Sequence, residues 1–276
     1  MPGEGLHTVT LTVPGVVLRL AVVTLAAIAL SVLAMLAVKL AGVDLKDAKQ
    51  RTAPRVLAIA GLFNLLFIAA VAVILRSWDH QSLSILGFSF GINGLVFVLA
   101  AFLLTGGLAL LYVWSLHSLG IIRISWSGDP YPKDLRGLTR LFFGFLILFI
   151  AALQEEILFR GYFSFALLRY GFLWALAIST VVFTLWHFLT NRVSLFQSVD
   201  WLLGGIMLYT LYWLSGSVWV AALVHFSRNF TNITVFNISS SNSLIAFHKP
   251  VTPAYKTLYT ALYSCILILA GYFWFR

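Results

Sequence analysis

Glu155 and Glu156 stand side by side in the run QEEILFRGYF, with Arg160 four residues after the second of them. His187 follows in FTLWHF, and His225, Arg228 and Asn229 in VHFSRNF. Each of these polar residues lies inside an otherwise apolar block, where an ionisable group is costly and points to function. Positions four apart share a helix face, so Glu156 and Arg160 can form an ion pair that neutralises two charges. Glu155 sits about 100° around the same helix and faces a different neighbour. His225 and Asn229 are also four apart and can point together into one cavity, and Phe183 can pack its ring beside His187. A glutamate with a histidine can hold and deprotonate one water molecule. A second histidine with an asparagine supplies donors to a tetrahedral oxyanion. Base, water and oxyanion donors are the parts needed to hydrolyse an amide without a covalent intermediate.

The elements that must position these groups are membrane helices. Hydrophobic residues make up 61% of the 276 and charged residues only 10%, which excludes an ordinary soluble domain. The apolar residues fall in long blocks, the pattern of helices apolar all round. We expect an all-α polytopic transmembrane bundle of about eight spans, near 16–41, 55–76, 92–120, 138–169, 171–190, 200–215, 217–237 and 255–275. The first span reads as retained, being longer than a leader's apolar region. The whole chain, 1–276, reads as one integral membrane domain with its catalytic core at about 138–235, and 238–254 as a polar loop.

The net charge of +9 does not point to nucleic acid, because the basic residues sit in short loops between apolar blocks. Lys39, Lys46, Lys49, Arg51 and Arg55 surround the first loop; Arg123, Lys133, Arg136 and Arg140 the third; Arg192 the fifth; Lys249 and Lys256 the seventh. The other loops carry Arg76 and Arg169, so the odd loops should be cytoplasmic and both termini outside. Cys265, the single cysteine, allows no intrachain disulfide and reads as a small core residue.

Depth offers an independent check. Spans four and five turn near Tyr170 and Gly171, and both Glu155 and His187 lie about 22–25 Å from that turn. His225 and Asn229 lie about 14 and 20 Å from the turn near Gly216. Three helices therefore carry their polar groups at overlapping depths, past the midplane toward the cytoplasm.

At these residues the sequence resembles the CAAX prenyl endopeptidase and its prokaryotic relatives, the CPBP (ABI) family of intramembrane proteases. EEILFR matches the EExxxR motif, FTLWH the FxxxH motif and HFSRN the HxxxN motif, and GSVWVAALVHFSRN is similar to the lead into the third. The resemblance covers about 138–235. It implies that Glu155 and His187 activate the water, that His225 and Asn229 form the oxyanion site, and that Glu156 and Arg160 support them. It implies a peptide or lipidated protein as substrate; the apolar blocks imply membrane lipid as surroundings, with the plasma membrane, or in a eukaryote the endoplasmic reticulum, expected by default. No cofactor is expected. Arg228 beside Asn229 departs from the motif and must snorkel, pair with an acid or face the cavity. Rival readings are a zinc-dependent protease using Glu155, His187 and His225 as ligands, a proton-coupled carrier, and a non-catalytic immunity or scaffold partner of the same fold. Neither the substrate nor the oligomeric state is legible.

Overall fold

The computed structural model describes residues 12–44, 50, 53–126, 135–189, 194–236, 245–247 and 251–276. Helices begin where the sequence carries start signals. The first, α1 (Val13–Leu40), has Thr12 as N-cap, its hydroxyl accepting from the Gly15 amide, with a proline in its first turn. Prolines also open α2 (Pro54–Ser77) and the last helix, α8 (Pro253–Phe275). Between α2 and α3 (Ile92–Ser118) lies a 3-10 turn, Leu83–Leu86.

The fourth helical run starts as α4 (Leu135–Glu156), passes through a π-helical turn at Ile157–Tyr162, resumes as an α-helix at Phe163–Leu167 and closes in a 3-10 turn at Leu168–Tyr170. Gly171, at φ +98°, turns the chain into α5 (Phe172–Phe188). Ser194 caps α6 (Leu195–Ser215), and Gly216, at φ +65°, ends it in the left-handed conformation common after helix C-termini. The next helix, α7 (Val218–Asn229), also runs on into a π turn, Phe230–Val235.

Each of the eight expected spans coincides with a helical run. Five are long and apolar enough to cross a membrane: Val13–Leu40, Arg55–Ser77, Ile92–Ser118, Leu141–Tyr170 and Pro253–Phe275. Phe172–Phe188 is apolar but shorter. The two remaining helices, α6 and α7, carry Asp200, His225, Arg228 and Asn229, so their inner faces are too polar to read as lipid-spanning on composition. Their place is inside the bundle: α6 packs between α5 and α8, and α7 against α4 and α3. The long helices instead present leucine and phenylalanine outward, as with Leu25, Leu62, Leu103 and Phe273. In water this surface would aggregate; in lipid it is the favourable face. The chain is thus an integral membrane protein built as a helical bundle.

Two expectations need correction. Cys265 is exposed on the outer face of α8 rather than packed in the core. The segment read as a polar loop at 238–254 contains a strand, β2 (Ile245–Phe247), paired antiparallel with β1 (Ile124–Trp126). Three-residue strands lie below the length at which alternation can be read. The loop cations Lys46, Lys49, Arg51, Lys133, Arg192 and Lys249 lie outside the described residues.

A buried cluster unremarked in the sequence ties the first helices to the fourth run. Arg19 donates Nε–H to Asp79 Oδ1 at 2.6 Å and Nη2–H to the Trp78 carbonyl, and Tyr162 donates its hydroxyl to Asp79 Oδ2 at 3.1 Å. Both charged side chains are buried. Removing one member of such a pair leaves an uncompensated charge. Asp79→Ala is expected to destabilise the bundle by about 3–5 kcal/mol, read as a fall in the melting midpoint in detergent; an unchanged midpoint would show that the pair contributes nothing net.

Candidate active site

The glutamates stand at the last two positions of α4, where the helix passes into its π turn. Such turns recur at functional sites. Ser179 of α5 donates its hydroxyl to the Phe159 carbonyl at 2.7 Å, which pins the π turn against α5. The adjacent carboxylates then diverge, as their 100° offset requires.

Glu156 is fully buried and acts as a hub. Its Oε1 accepts from Arg160 Nη1 at 3.2 Å and from His225 Nδ1 at 2.8 Å, and its Oε2 lies 3.1 Å from Arg160 Nε. Arg160, also fully buried, donates Nη2–H to the Gly205 carbonyl and lies over the Phe183 ring, 4.3 Å from its centroid. One carboxylate therefore neutralises one guanidinium and orients one imidazole.

Glu155 turns the other way and lines a cavity of about 360 Å³. Its Oε2 lies 3.9 Å from His187 Nε2 and 3.9 Å from His225 Nε2. The Nδ1 protons follow from the far side of each ring. His187 Nδ1 is 2.9 Å from the Phe183 carbonyl, which can only accept, so Nδ1 carries a proton. His225 Nδ1 donates to the Glu156 carboxylate in the same way. Both rings thereby direct Nε2 toward one carboxylate oxygen. Trp201 stacks on His187 at 4.9 Å and Phe183 packs edge-on at 4.6 Å, which fixes the imidazole plane.

The structure brings together Glu155, His187, His225 and Asn229 as walls of one cavity, and holds Glu156 and Arg160 behind them. The paired depths estimated for Glu155 and His187 agree with their 3.9 Å approach. Among the described residues, no group of three or more His, Cys, Asp or Glu is arranged to hold a metal ion.

The sequence reading missed the far wall. Asp200 and Gly204 of α6, Asn232 beyond α7, and Lys256 and Thr260 of α8 line the same cavity, and Arg228 reaches it beside Asn229. Asp200 sits six residues into α6 and Lys256 near the start of α8, where end-of-helix charges look like ordinary membrane-boundary residues. The signal that would have found Asp200 is its place in an apolar run without a basic neighbour at helical spacing.

A glycine lets two helices close beside the site. A Cβ on Gly205 would stand 2.8 Å from the Thr180 side chain and 3.3 Å from the Phe183 ring, so α5 and α6 approach through the missing side chain. Gly205→Ala is expected to cost about 1–3 kcal/mol by overpacking and to lower activity by displacing Phe183. Thermal stability and turnover measured together check this; wild-type values for both would show that α5 gives way freely.

No curated protein and no solved structure matches the chain. A family model does, over the stretch that runs from α4 to the π turn after α7 and holds all six motif residues. Over residues 137–231, about a third of its length, the chain matches the model of the Type II CAAX prenyl endopeptidase Rce1-like family.

Proposed function

We propose that this protein is an intramembrane endopeptidase of the CAAX type, with Glu155 as general base. The observation that carries the reading is the placement of one cavity-lining carboxylate oxygen 3.9 Å from two imidazole Nε2 atoms whose Nδ1 atoms are already engaged. That separation is too long for a direct hydrogen bond and suits a bridging water.

Glu155 and His187 hold the water, and Glu155 takes its proton as the oxygen attacks the scissile carbonyl carbon. The carbonyl π electrons move to oxygen, giving a tetrahedral oxyanion. His225, with both nitrogens protonated, donates Nδ1–H to Glu156 and Nε2–H to that oxyanion, and the Asn229 amide donates beside it. The carbon–nitrogen bond then breaks, and Glu155 returns its proton to the leaving amine. Glu156 and Arg160 do not face the cavity; they keep His225 oriented and the carboxylate charge balanced. The substrate is a peptide or prenylated protein, reached from the cytoplasmic side of the membrane.

The test is cleavage of a farnesylated CAAX-type peptide by purified protein, wild type against His225→Ala and Asn229→Ala, with and without chelator. Loss of one oxyanion donor is expected to lower turnover about 10²–10³-fold, with chelator immaterial. Activity lost to chelator and restored by zinc would move the assignment to a metalloprotease. Peptides left intact by the wild type, together with solute flux in proteoliposomes, would move it to a carrier.

A further inference from the structure

The cavity has two chemically different ends. One holds Glu155, His187, His225 and Asn229; the other holds Asp200, Arg228, Lys256 and Thr260. Arg228 lies three residues after His225, about 4.5 Å further along the same helix. Its Nη2 donates to Thr260 Oγ1 at 2.9 Å, while its buried Nε has no hydrogen-bond partner among the described residues. Lys256 stands one turn before Thr260 on α8.

The charge count at this end does not balance internally. Arg228 and Lys256 both interact electrostatically with Asp200, the one carboxylate there. Among the described residues neither cation has a carboxylate at ion-pair distance. Two cations against one anion leave an excess positive charge in a partly enclosed space, which favours an anionic group. Arginine and lysine together suit a carboxylate, which the guanidinium can grip through two N–H groups. Gly204 makes room for this arrangement, since a Cβ there would stand 2.7 Å from Arg228 Nη1.

We infer that Arg228, aided by Lys256, binds the free C-terminal carboxylate of the substrate and so sets the distance from the chain end to the cut bond. This rests on the endopeptidase reading above. A cavity of about 360 Å³ is at the small end of ligand sites, so the enclosed leaving fragment is a few residues long, at about 3.3–3.6 Å per extended residue. Thr260 holds the guanidinium, and Gly204 is a positioning residue that acts through it.

The experiment compares one farnesylated peptide as free acid and as C-terminal amide. Cleavage is measured with wild type, Arg228→Gln, Lys256→Gln and Gly204→Ala. Binding is measured by fluorescence anisotropy with Glu155→Gln protein and its Arg228→Gln double variant. The wild type is expected to favour the acid about 10- to 100-fold in kcat/KM, carried by KM. Arg228→Gln and Gly204→Ala should erase most of that preference, through a rise in KM for the acid larger than any change for the amide. Lys256→Gln should erase part of it, and serves where Arg228→Gln does not fold.

Equal use of acid and amide by the wild type, or a preference unchanged in Arg228→Gln, would overturn the assignment while leaving the endopeptidase reading intact. Should the wild type cleave neither peptide, the endopeptidase reading fails first, and the binding arm still decides: tighter binding of the acid that Arg228→Gln abolishes supports the carboxylate site, and equal binding refutes it. Equal peptide binding with competition by anionic phospholipid in nanodiscs would assign the anion site to a lipid headgroup instead.

Discussion

Replacing Glu155 by glutamine is expected to lower kcat/KM about 10²–10⁴-fold while leaving the protein folded. Glutamine preserves the shape of the side chain but cannot take a proton from water. Glu155 makes no close ion pair; its nearest imidazole nitrogens are each 3.9 Å away. Its charge is therefore not tied into the packing, and losing it should move the melting midpoint by no more than a few degrees. The measurement is initial-rate cleavage at several substrate concentrations, with a thermal melt of the same sample. The loss should fall on kcat, because the general base acts in the transition state rather than in ground-state binding. Wild-type turnover in Glu155→Gln would remove this residue as the base. If Glu156→Gln alone abolished turnover in a fully stable protein, the roles of the two neighbours would have to be exchanged.

Glu156→Gln should behave in the opposite way, with its main effect on stability. This carboxylate is completely buried and meets Arg160 at 3.1–3.2 Å and His225 at 2.8 Å. Removing its charge leaves the guanidinium with the Gly205 carbonyl and the face of Phe183 as remaining company. Breaking a buried pair from one side costs about 3–5 kcal/mol, equivalent to a fall in melting midpoint on the order of 10 °C. Activity should fall too, because the charge-assisted bond that orients His225 becomes a weaker bond to a neutral amide oxygen. The double variant Glu156→Gln/Arg160→Met separates these effects. It removes the orphaned cation and should recover part of the stability, yet its neutral amide oxygen gives His225 Nδ1 only an uncharged acceptor in place of the charge-assisted bond, so activity should stay reduced. Recovery of both properties together would mean that Glu156 matters to His225 only through overall fold. An unaltered melt in Glu156→Gln would refute the buried-pair argument itself.

The two neighbouring acids thus illustrate how a backbone offset becomes a division of labour. One residue along a helix rotates the side chain by about 100°. With α7 packed on one side of α4 and the cavity on another, that rotation separates a carboxylate that lines the cavity from one that is fully buried. The same reasoning explains His225, whose ring spans the two: one nitrogen on Glu156, the other 3.9 Å from Glu155.

Much of this architecture was legible in the residues. Apolar blocks long enough for lipid, broken by loops, determined a helical membrane bundle, because every backbone group must be paired within its own segment there. Fixed rise per residue placed Glu155 and His187 at matching depths, and helical spacing alone predicted that Glu156 would meet Arg160 and that Phe183 would pack on His187. These are local rules, and they hold before any helix finds its neighbour.

What the tertiary structure decided concerns pairs remote in sequence. The Arg19–Asp79–Tyr162 cluster joins residues 60 and 83 positions from Asp79, and no local pattern marks it. The outward direction of Cys265 depends on which face of an all-round apolar helix meets α6, which composition cannot state. The β1–β2 pairing needs two three-residue strands to meet across more than a hundred residues. The charged far wall assembles only when α6, α7 and α8 converge, with Gly204 leaving room for the Arg228 guanidinium. Sequence by itself determined the membrane bundle and the depth of its polar residues, since rise, period and burial are properties of a single helix. Which charges face one another was settled only by packing, because a rotation of one helix against another changes every side-chain neighbour without altering any local preference.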